Sequence, residues 1–127
     1  MAQPAGLIFS KDHEWVKLDG DVATIGISDY AQNSLGDIVY VELPRVGATL
    51  AQFAGIGVVE SVKAVSDIFT PLGGEVLEIN AAIEADPALV NRDPFGDGWF
   101  YKLKLGDDEE KNNLMSAEDY DKLIAEA

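Results

Sequence analysis

The 127-residue sequence contains no cysteine and a single histidine, His13. Disulfide bonds, thiolate metal sites and a cysteine nucleophile are therefore excluded, and no metal site can draw on two histidines. Basic residues are also scarce: 9 lysines and arginines stand against 23 aspartates and glutamates, which gives a formal net charge of −14. Because nucleic acids and anionic membranes both attract clustered lysine and arginine, this charge disfavours both kinds of partner.

Long apolar stretches are missing as well. No segment approaches the roughly 20 consecutive apolar residues that a transmembrane helix needs. Residues 1–6 show neither the apolar core of a signal peptide nor the arginine-rich pattern of a transit peptide. The sequence therefore predicts a chain without a membrane span or a targeting segment.

What the sequence does contain is a series of short apolar runs separated by turn residues, with 12 glycines in all. Residues 22–27 and 37–43 are rich in valine and isoleucine, which predicts two strands. Between them, Ser28 is a suitable helix N-cap and Gly36 is a suitable stop, so a short helix is predicted there.

The second half of the chain continues in the same way. Residues 75–79 and 99–105 predict two further strands, and residues 87–90 predict one helical turn. Many short strands without a break in composition indicate one mainly β domain over residues 1–127. A β-sandwich or small barrel with peripheral helices is the expected architecture.

The chain is predicted to end in a helix over about residues 116–125. Ser116 can cap this helix, and Tyr120, Leu123 and Ile124 would give it an apolar stripe. Such a stripe is expected to pack on the sheet. Trp15 and Trp99 are also expected to be packing residues.

Lys63 is the only basic residue between Arg45 and Arg92. Apolar runs on both sides predict a hairpin over about 55–72, with Lys63 and Ala64 as its two-residue connection. Such connections prefer glycine, asparagine or aspartate because they tend to need positive φ, so a lysine here breaks a local rule. A lysine in a turn is most often only a solvated charge, but a primary amine at a hairpin tip is also a handle for a covalently attached cofactor.

Several segments of the sequence match one known family in order, and the most specific is the run Gly57-Val58-Val59-Glu60-Ser61-Val62-Lys63-Ala64 followed by Ser66-Asp67. The other matching segments are His13-Glu14-Trp15-Val16, 23–27, 29–32, 35–44, 74–76, 89–91, 98–99 and 115–120. Over about residues 7–126 the chain thereby resembles the glycine cleavage system H proteins, a family of lipoyl carriers.

The resemblance implies a lipoyl/biotinyl-like β-sandwich (a flattened barrel) with short peripheral helices and a C-terminal helix. It also implies that Lys63 carries lipoic acid in amide linkage. In such a carrier the cofactor supplies the chemistry and the protein supplies its position, so the chain is expected not to be an enzyme and to have no catalytic residue.

The partners that the resemblance implies are those of the glycine cleavage system. A pyridoxal-phosphate glycine decarboxylase loads the aminomethyl group of glycine, and a tetrahydrofolate-dependent aminomethyltransferase removes it. Dihydrolipoyl dehydrogenase then reoxidises the arm, and a lipoyl ligase or transferase attaches the cofactor. The expected location is the cytoplasm of a bacterium, or the mitochondrial matrix for a mature eukaryotic chain.

Three further residues belong to family-like motifs near the arm. Glu14 and Asp67 are expected to contact the loaded arm, because a carboxylate can stabilise the cation that an aminomethyl group forms. Both are equally compatible with solvated surface acids. His13 is a weaker candidate for a hydrogen bond to the arm, and a structural role fits a lone histidine better.

Other functions agree less well with the residues. Biotin carriers typically set the lysine between two methionines, and lipoyl domains of 2-oxo acid dehydrogenases usually have aspartate before it, whereas Val62 and Ala64 flank Lys63 here. Such carriers remain the alternative. A hydrolase would need an oriented nucleophile and base, and no such arrangement is evident. An adaptor domain without a cofactor would show no added mass on Lys63.

Overall fold

A computed structural model describes residue 4 and residues 6–126 of the protein. Within these residues the chain forms ten strands, four α-helices and one 3-10 helix. The strands are β1 (Leu7–Phe9), β2 (Glu14–Asp19), β3 (Val22–Ile27), β4 (Ile38–Glu42), β5 (Thr49–Leu50), β6 (Gly55–Ser61), β7 (Val65–Phe69), β8 (Gly74–Ile79), β9 (Tyr101–Leu105) and β10 (Met115–Ser116). The helices are α1 (Asp29–Leu35), α2 (Ala81–Ala85), α3 (Leu89–Arg92) and α4 (Ala117–Ala125), and the 3-10 helix is Asp108–Asn113.

The strands form two sheets in which every neighbouring pair is antiparallel. The larger sheet has the order β10-β1-β2-β3-β9-β8-β5, and the smaller sheet has the order β4-β6-β7. Val16 and Ile25 of the larger sheet share one buried cluster with Val41, Val59 and Ile68 of the smaller sheet. This confirms the predicted mainly β sandwich with short helices.

Helix α1 begins and ends where the sequence predicted. The Ser28 hydroxyl accepts a hydrogen bond from the Ala31 N–H at 3.1 Å, which satisfies one of the free donors of the first turn. Gly36 ends the helix at a φ of 84°, a conformation that glycine adopts without strain. The chain then turns directly into β4, so α1 sets the position of the residues that enter the smaller sheet.

Helix α4 covers a second apolar cluster at one end of the larger sheet, formed around Phe9, Trp15 and Tyr120. The Tyr120 ring stacks on Phe9 with 4.4 Å between the ring centroids. Ser116 is the N-cap, as predicted, and accepts from the Asp119 N–H at 3.2 Å. At nine residues α4 is the longest helix described, and none of the described helices combines the length and apolar character needed to cross a bilayer.

Six elements were not predicted: β1, β2, β5, β10, α2 and the 3-10 helix. Strands β5 and β10 have two residues each, which is too short for any alternation of apolar and polar residues to be visible. Helix α2 depends on a cap, because the Asn80 side chain accepts from the Ala82 N–H. The strand predicted over 99–105 begins only at Tyr101.

The Trp15 ring lies directly over Gly26, its cross-strand neighbour in β3. A Cβ atom at Gly26 would lie 2.7 Å from two carbons of this ring. Because Trp15 is only 2% exposed and its indole N–H donates to the Pro94 carbonyl at 2.9 Å, the ring has little room to move. Glycine is therefore required here by close approach.

We expect Gly26→Ala to lower the free energy of unfolding by about 1–3 kcal/mol, because the added methyl group overpacks the Trp15 ring. Urea denaturation followed by tryptophan fluorescence measures this change. Gly55→Ala is the matched control in another strand: its Cβ would lie 3.7 Å from the Phe69 ring, an ordinary contact. Equal stability of the two variants would contradict the prediction.

Candidate functional site

The β6–β7 hairpin presents Lys63, and its tip comprises residues 61–64. Glu60 pairs with Val65, and the Ser61 N–H donates to the Ala64 carbonyl at 2.8 Å. Val62 and Lys63 are therefore the two connecting residues. The predicted connection, Lys63 and Ala64, was wrong by one position, because strand alternation alone does not fix where pairing stops.

The Ser61 side chain shapes the hairpin tip. Its hydroxyl accepts from the Lys63 N–H at 3.3 Å and from the Ala64 N–H at 3.0 Å. Among the described non-glycine residues, only His13 and Phe53 have positive φ, so the expected strain at Lys63 is not found. A serine that binds backbone donors two and three residues ahead replaces the turn that would need glycine. Sequence analysis missed this role of Ser61.

The hairpin tip rests on the 36–38 loop, which joins α1 to β4. The Val62 N–H donates to the Asp37 carbonyl at 3.0 Å. A Cβ atom at Gly36 would lie 3.4 Å from Lys63 Cε, so the aliphatic stem of Lys63 runs alongside this glycine. The tip is thus held by its own turn and by a neighbouring loop.

The amine of Lys63 remains free. The residue is exposed, and within residues 4 and 6–126 its amine forms no ion pair or hydrogen bond. A primary amine on a flexible four-carbon stem is suited to acylation by a carboxylic acid cofactor. The residues present at the hairpin tip therefore fit covalent attachment at Lys63.

Large apolar side chains that face solvent gather around the hairpin tip. Val62 and Val65 flank Lys63 and are 70% and 67% exposed. Val39 and Tyr40 lie on β4, which pairs with β6 next to the tip, and are 54% and 47% exposed. A group of exposed apolar side chains such as this one is typical of surfaces that contact other proteins.

Glu14 is buried, with 3% of its surface exposed. One carboxyl oxygen accepts from the Ser10 hydroxyl at 2.8 Å, and the other accepts from the Phe69 N–H at 3.2 Å. Burial raises the pKa of Glu14 to about 8, and these hydrogen bonds offset only part of the rise. The interpretation of Glu14 as a solvated surface acid is therefore wrong.

Asp67 lies on the solvent face of β7, opposite the buried Ile68. Its strand begins beside the hairpin tip and ends at Phe69, whose N–H binds Glu14. A strand advances about 3.3 Å per residue, so Asp67 is at most about 13 Å from Lys63 and Phe69 at most about 20 Å. Strand β7 thus runs from beside Lys63 past Asp67 to the backbone N–H that binds Glu14, and among the described residues no ion pair joins Lys63 to either acid.

His13 is partly buried, and its contacts lie with the two helices α1 and α4. Its Nδ1 is 2.8 Å from the Tyr120 hydroxyl, which is 2.6 Å from the Ser28 hydroxyl. Burial lowers the pKa of His13, and the charge of Asp12 partly opposes this change. No hydrogen bond joins His13 to the hairpin, so its visible role is to connect α4 to the N-cap of α1.

A metal centre finds no support in the described part of the chain, where no three histidine, cysteine, aspartate or glutamate side chains converge. The single histidine is already bound to a tyrosine hydroxyl. The chemistry that these side chains offer is an acylable amine, one buried carboxyl group and one exposed carboxylate.

The pKa of Glu14 makes the stability of the fold depend on pH. The folded protein keeps the Glu14 proton up to about pH 8, whereas the unfolded chain releases it near 4.5. Between these values the unfolded chain binds fewer protons, so the free energy of unfolding falls as pH rises. We expect Glu14→Gln, which stays neutral, to lose less stability than the wild type over this range.

Urea denaturation at several values between about pH 5 and pH 8 measures the effect. Glu118→Gln, an exposed position on α4, is the control and should follow the wild type. The same loss of stability in Glu14→Gln and in the wild type would mean that Glu14 ionises normally in the folded protein.

Comparisons with known proteins extend over nearly the whole chain. The family model for the glycine cleavage H-protein matches residues 7–127. The glycine cleavage system H protein of Thermoanaerobacter sp. (strain X514) is 59% identical over 121 residues, 95% of each chain. That of Halothermothrix orenii is 52% identical over 126 residues, 99% of this chain and 98% of the other.

A solved structure agrees with these relatives. The crystal structure of a glycine cleavage system H protein from Mycobacterium marinum matches with a TM-score of 0.87 and 35% identity, covering 97% of this chain and 99% of the other. Fold and sequence therefore lead to one conclusion: the chain belongs to the glycine cleavage H-protein family.

Proposed function

We propose that Lys63 carries lipoic acid in amide linkage and that the chain shuttles the aminomethyl group of glycine within the glycine cleavage system. The protein is a carrier and not a catalyst. The observation that supports this assignment most directly is the free amine of Lys63 on a braced hairpin tip, in a chain of this family. Attachment removes one positive charge from a surface that is already acidic.

When bound, the lipoyl group supplies the disulfide and dithiol chemistry that takes up and hands over the aminomethyl group. The chain supplies its position. Ser61 and Asp37 fix the backbone of the hairpin tip, while the stem of Lys63 retains rotatable bonds. Because the arm is flexible and its attachment point on the hairpin tip is fixed, one carrier can reach the active sites of several enzymes.

We propose the decarboxylase, the aminomethyltransferase, dihydrolipoyl dehydrogenase and a lipoyl ligase or transferase as partners. Each must bring its active site to the same amine, so each contacts the exposed valines beside Lys63. The net charge of −14 favours partners with basic entrances, because opposite charges accelerate encounter. The same charge disfavours nucleic acid.

We further propose that residues 1–127 act as one lipoyl-carrier domain in the bacterial cytoplasm. The shared core of the two sheets supports a single domain. The relatives named above are bacterial, which favours this location over a mitochondrial matrix.

Replacement of Lys63 tests the attachment directly. We expect Lys63→Arg and Lys63→Ala to lack the mass increment of lipoic acid and to have no carrier activity, because no other amine occupies the hairpin tip. The fold should be retained, since exposed substitutions change stability by about 0.5 kcal/mol or less. Intact-mass spectrometry, circular dichroism and a reconstituted glycine-cleavage assay measure the three outcomes. Normal activity in Lys63→Ala would refute the proposal.

Glu14 and Asp67 are proposed to protect the cargo. A lysine extended by a lipoyl chain reaches on the order of 15 Å, which covers the distance of at most about 13 Å to Asp67 and directs the end of the arm towards Phe69, whose N–H binds Glu14. The amine of the cargo is cationic near neutral pH, and a carboxylate in a partly water-excluded site stabilises a cation strongly. Such a cation would in turn favour ionisation of the buried Glu14 carboxyl group.

We expect Glu14→Gln and Asp67→Asn to speed the spontaneous loss of cargo from the loaded carrier, because each removes a carboxylate that holds the amine. Mass spectrometry of the loaded form over time gives the decay rate. Glu118→Gln on α4 is the charge-matched control and should decay as the wild type does. Unchanged decay in both single variants and in the double variant would show that these acids do not protect the cargo.

A further inference from the structure

Asn91, in helix α3, binds the loop that supports the hairpin tip. Its Oδ1 accepts from the Ile38 N–H at 2.8 Å. Its Nδ2 donates to the Gly36 carbonyl and to the Gln32 side-chain oxygen, each at 2.9 Å. All three bonds use the amide in one orientation, since a flipped amide would set donor against donor at Ile38 and acceptor against acceptor at Gly36.

The two backbone groups that Asn91 binds lie on either side of Asp37. The Asp37 carbonyl accepts from Val62 N–H, and Gly36 lies against the stem of Lys63. A continuous set of contacts therefore runs from α3 through the 36–38 loop to the residue that is proposed to carry the cofactor. The three side-chain hydrogen bonds of Asn91 end at Ile38, Gln32 and Gly36 and do not reach Val62 or Lys63.

The hairpin tip needs this support, because little else holds it. Val62, Lys63 and Ala64 are exposed, so they bury little apolar surface. Apart from the bonds within the turn, Val62, Lys63 and Ala64 form one backbone hydrogen bond, from the Val62 N–H to the Asp37 carbonyl, while Ser61 pairs with Ile38 in the sheet. Beyond its own turn, the position of these three residues therefore depends on the Asp37 carbonyl.

We propose that Asn91 is a positioning residue for lipoylation, which holds the 36–38 loop so that the hairpin tip presents Lys63 in one conformation. The inference rests on the proposed function of Lys63. Loss of Asn91 leaves the Lys63 amine in place but lowers the fraction of carriers in which the hairpin tip has the conformation that the ligase binds. When only a fraction of a protein is competent to bind, its apparent affinity falls by that fraction. The effect should therefore fall on KM and not on kcat.

The first measurement is amide hydrogen exchange of the carrier before lipoylation. Val62 N–H should be protected in the wild type, and Asn91→Asp should raise its exchange rate by about tenfold. This variant keeps the shape of the side chain and the acceptor for Ile38, and it removes both donors. Asn91→Ala removes all three hydrogen bonds and, if the variant folds, should raise the exchange rate of the Val62 N–H further.

The second measurement is the attachment of lipoate by a lipoate ligase. We expect Asn91→Asp to raise the KM for the carrier several-fold and to leave kcat unchanged. Asn80→Ala is the matched control. Asn80 also forms three side-chain hydrogen bonds, to Ala82, Asp97 and Trp99, and none of them reaches the 36–38 loop or the hairpin tip. The Asn80→Ala variant should lower the free energy of unfolding without changing the exchange rate of the Val62 N–H or the KM for the carrier.

Several outcomes would overturn the proposal: an unprotected Val62 amide in the wild type, Asn91→Asp behaving as Asn80→Ala does, or a loss in kcat alone. Failure of the proposed function gives a different result. If Lys63 of the wild type takes no lipoate while Asn91→Asp still accelerates Val62 exchange, the attachment assignment is wrong and the coupling of Asn91 to the hairpin tip remains.

Discussion

The packing of the smaller sheet against the larger one is the constraint on which the position of the Lys63 hairpin depends. A sheet of three strands is stable in water only if one face is covered. Val59 and Ile68, each 2% exposed, provide that buried face for the β6–β7 hairpin. Full burial of such a side chain contributes about 1.5–3 kcal/mol, more than a typical hydrogen bond at about 1 kcal/mol. The core therefore fixes the strands, and the hydrogen bonds of Ser61 and Asp37 set only the last residues of the turn.

The features that the sequence predicted correctly have local causes. Strand β3 alternates apolar side chains over six residues, and α1 is delimited by a serine cap and a glycine stop that act on their own neighbours. The C-terminal helix follows from Ser116 and the apolar stripe behind it in the same way. Lys63 is a different case: its turn position alone favours a solvated charge, and its proposed role in attachment rests on the resemblance of the surrounding segments.

The features that the sequence did not predict depend on residues that are distant in the chain. Asn91 lies 53 residues from Ile38, so no local pattern connects the two. Glu14 was compatible with the surface because burying an ion is costly. The fold avoids this cost because burial keeps the carboxyl group neutral up to about pH 8, while hydrogen bonds from Ser10 and Phe69 satisfy its oxygens. The environment of Glu14 includes Phe69 at the end of β7, 55 residues further along the chain.

The contact between Gly36 and Lys63 involves the methylene groups of the lysine and leaves its nitrogen untouched. The hydrogen bond that anchors the hairpin tip likewise uses the backbone of Val62. Acylation of the nitrogen therefore alters none of the contacts that shape the tip. If Lys63 is acylated as proposed, the hairpin tip keeps the same backbone before and after modification, so the enzyme that attaches the group and the enzymes that use it can recognise one surface.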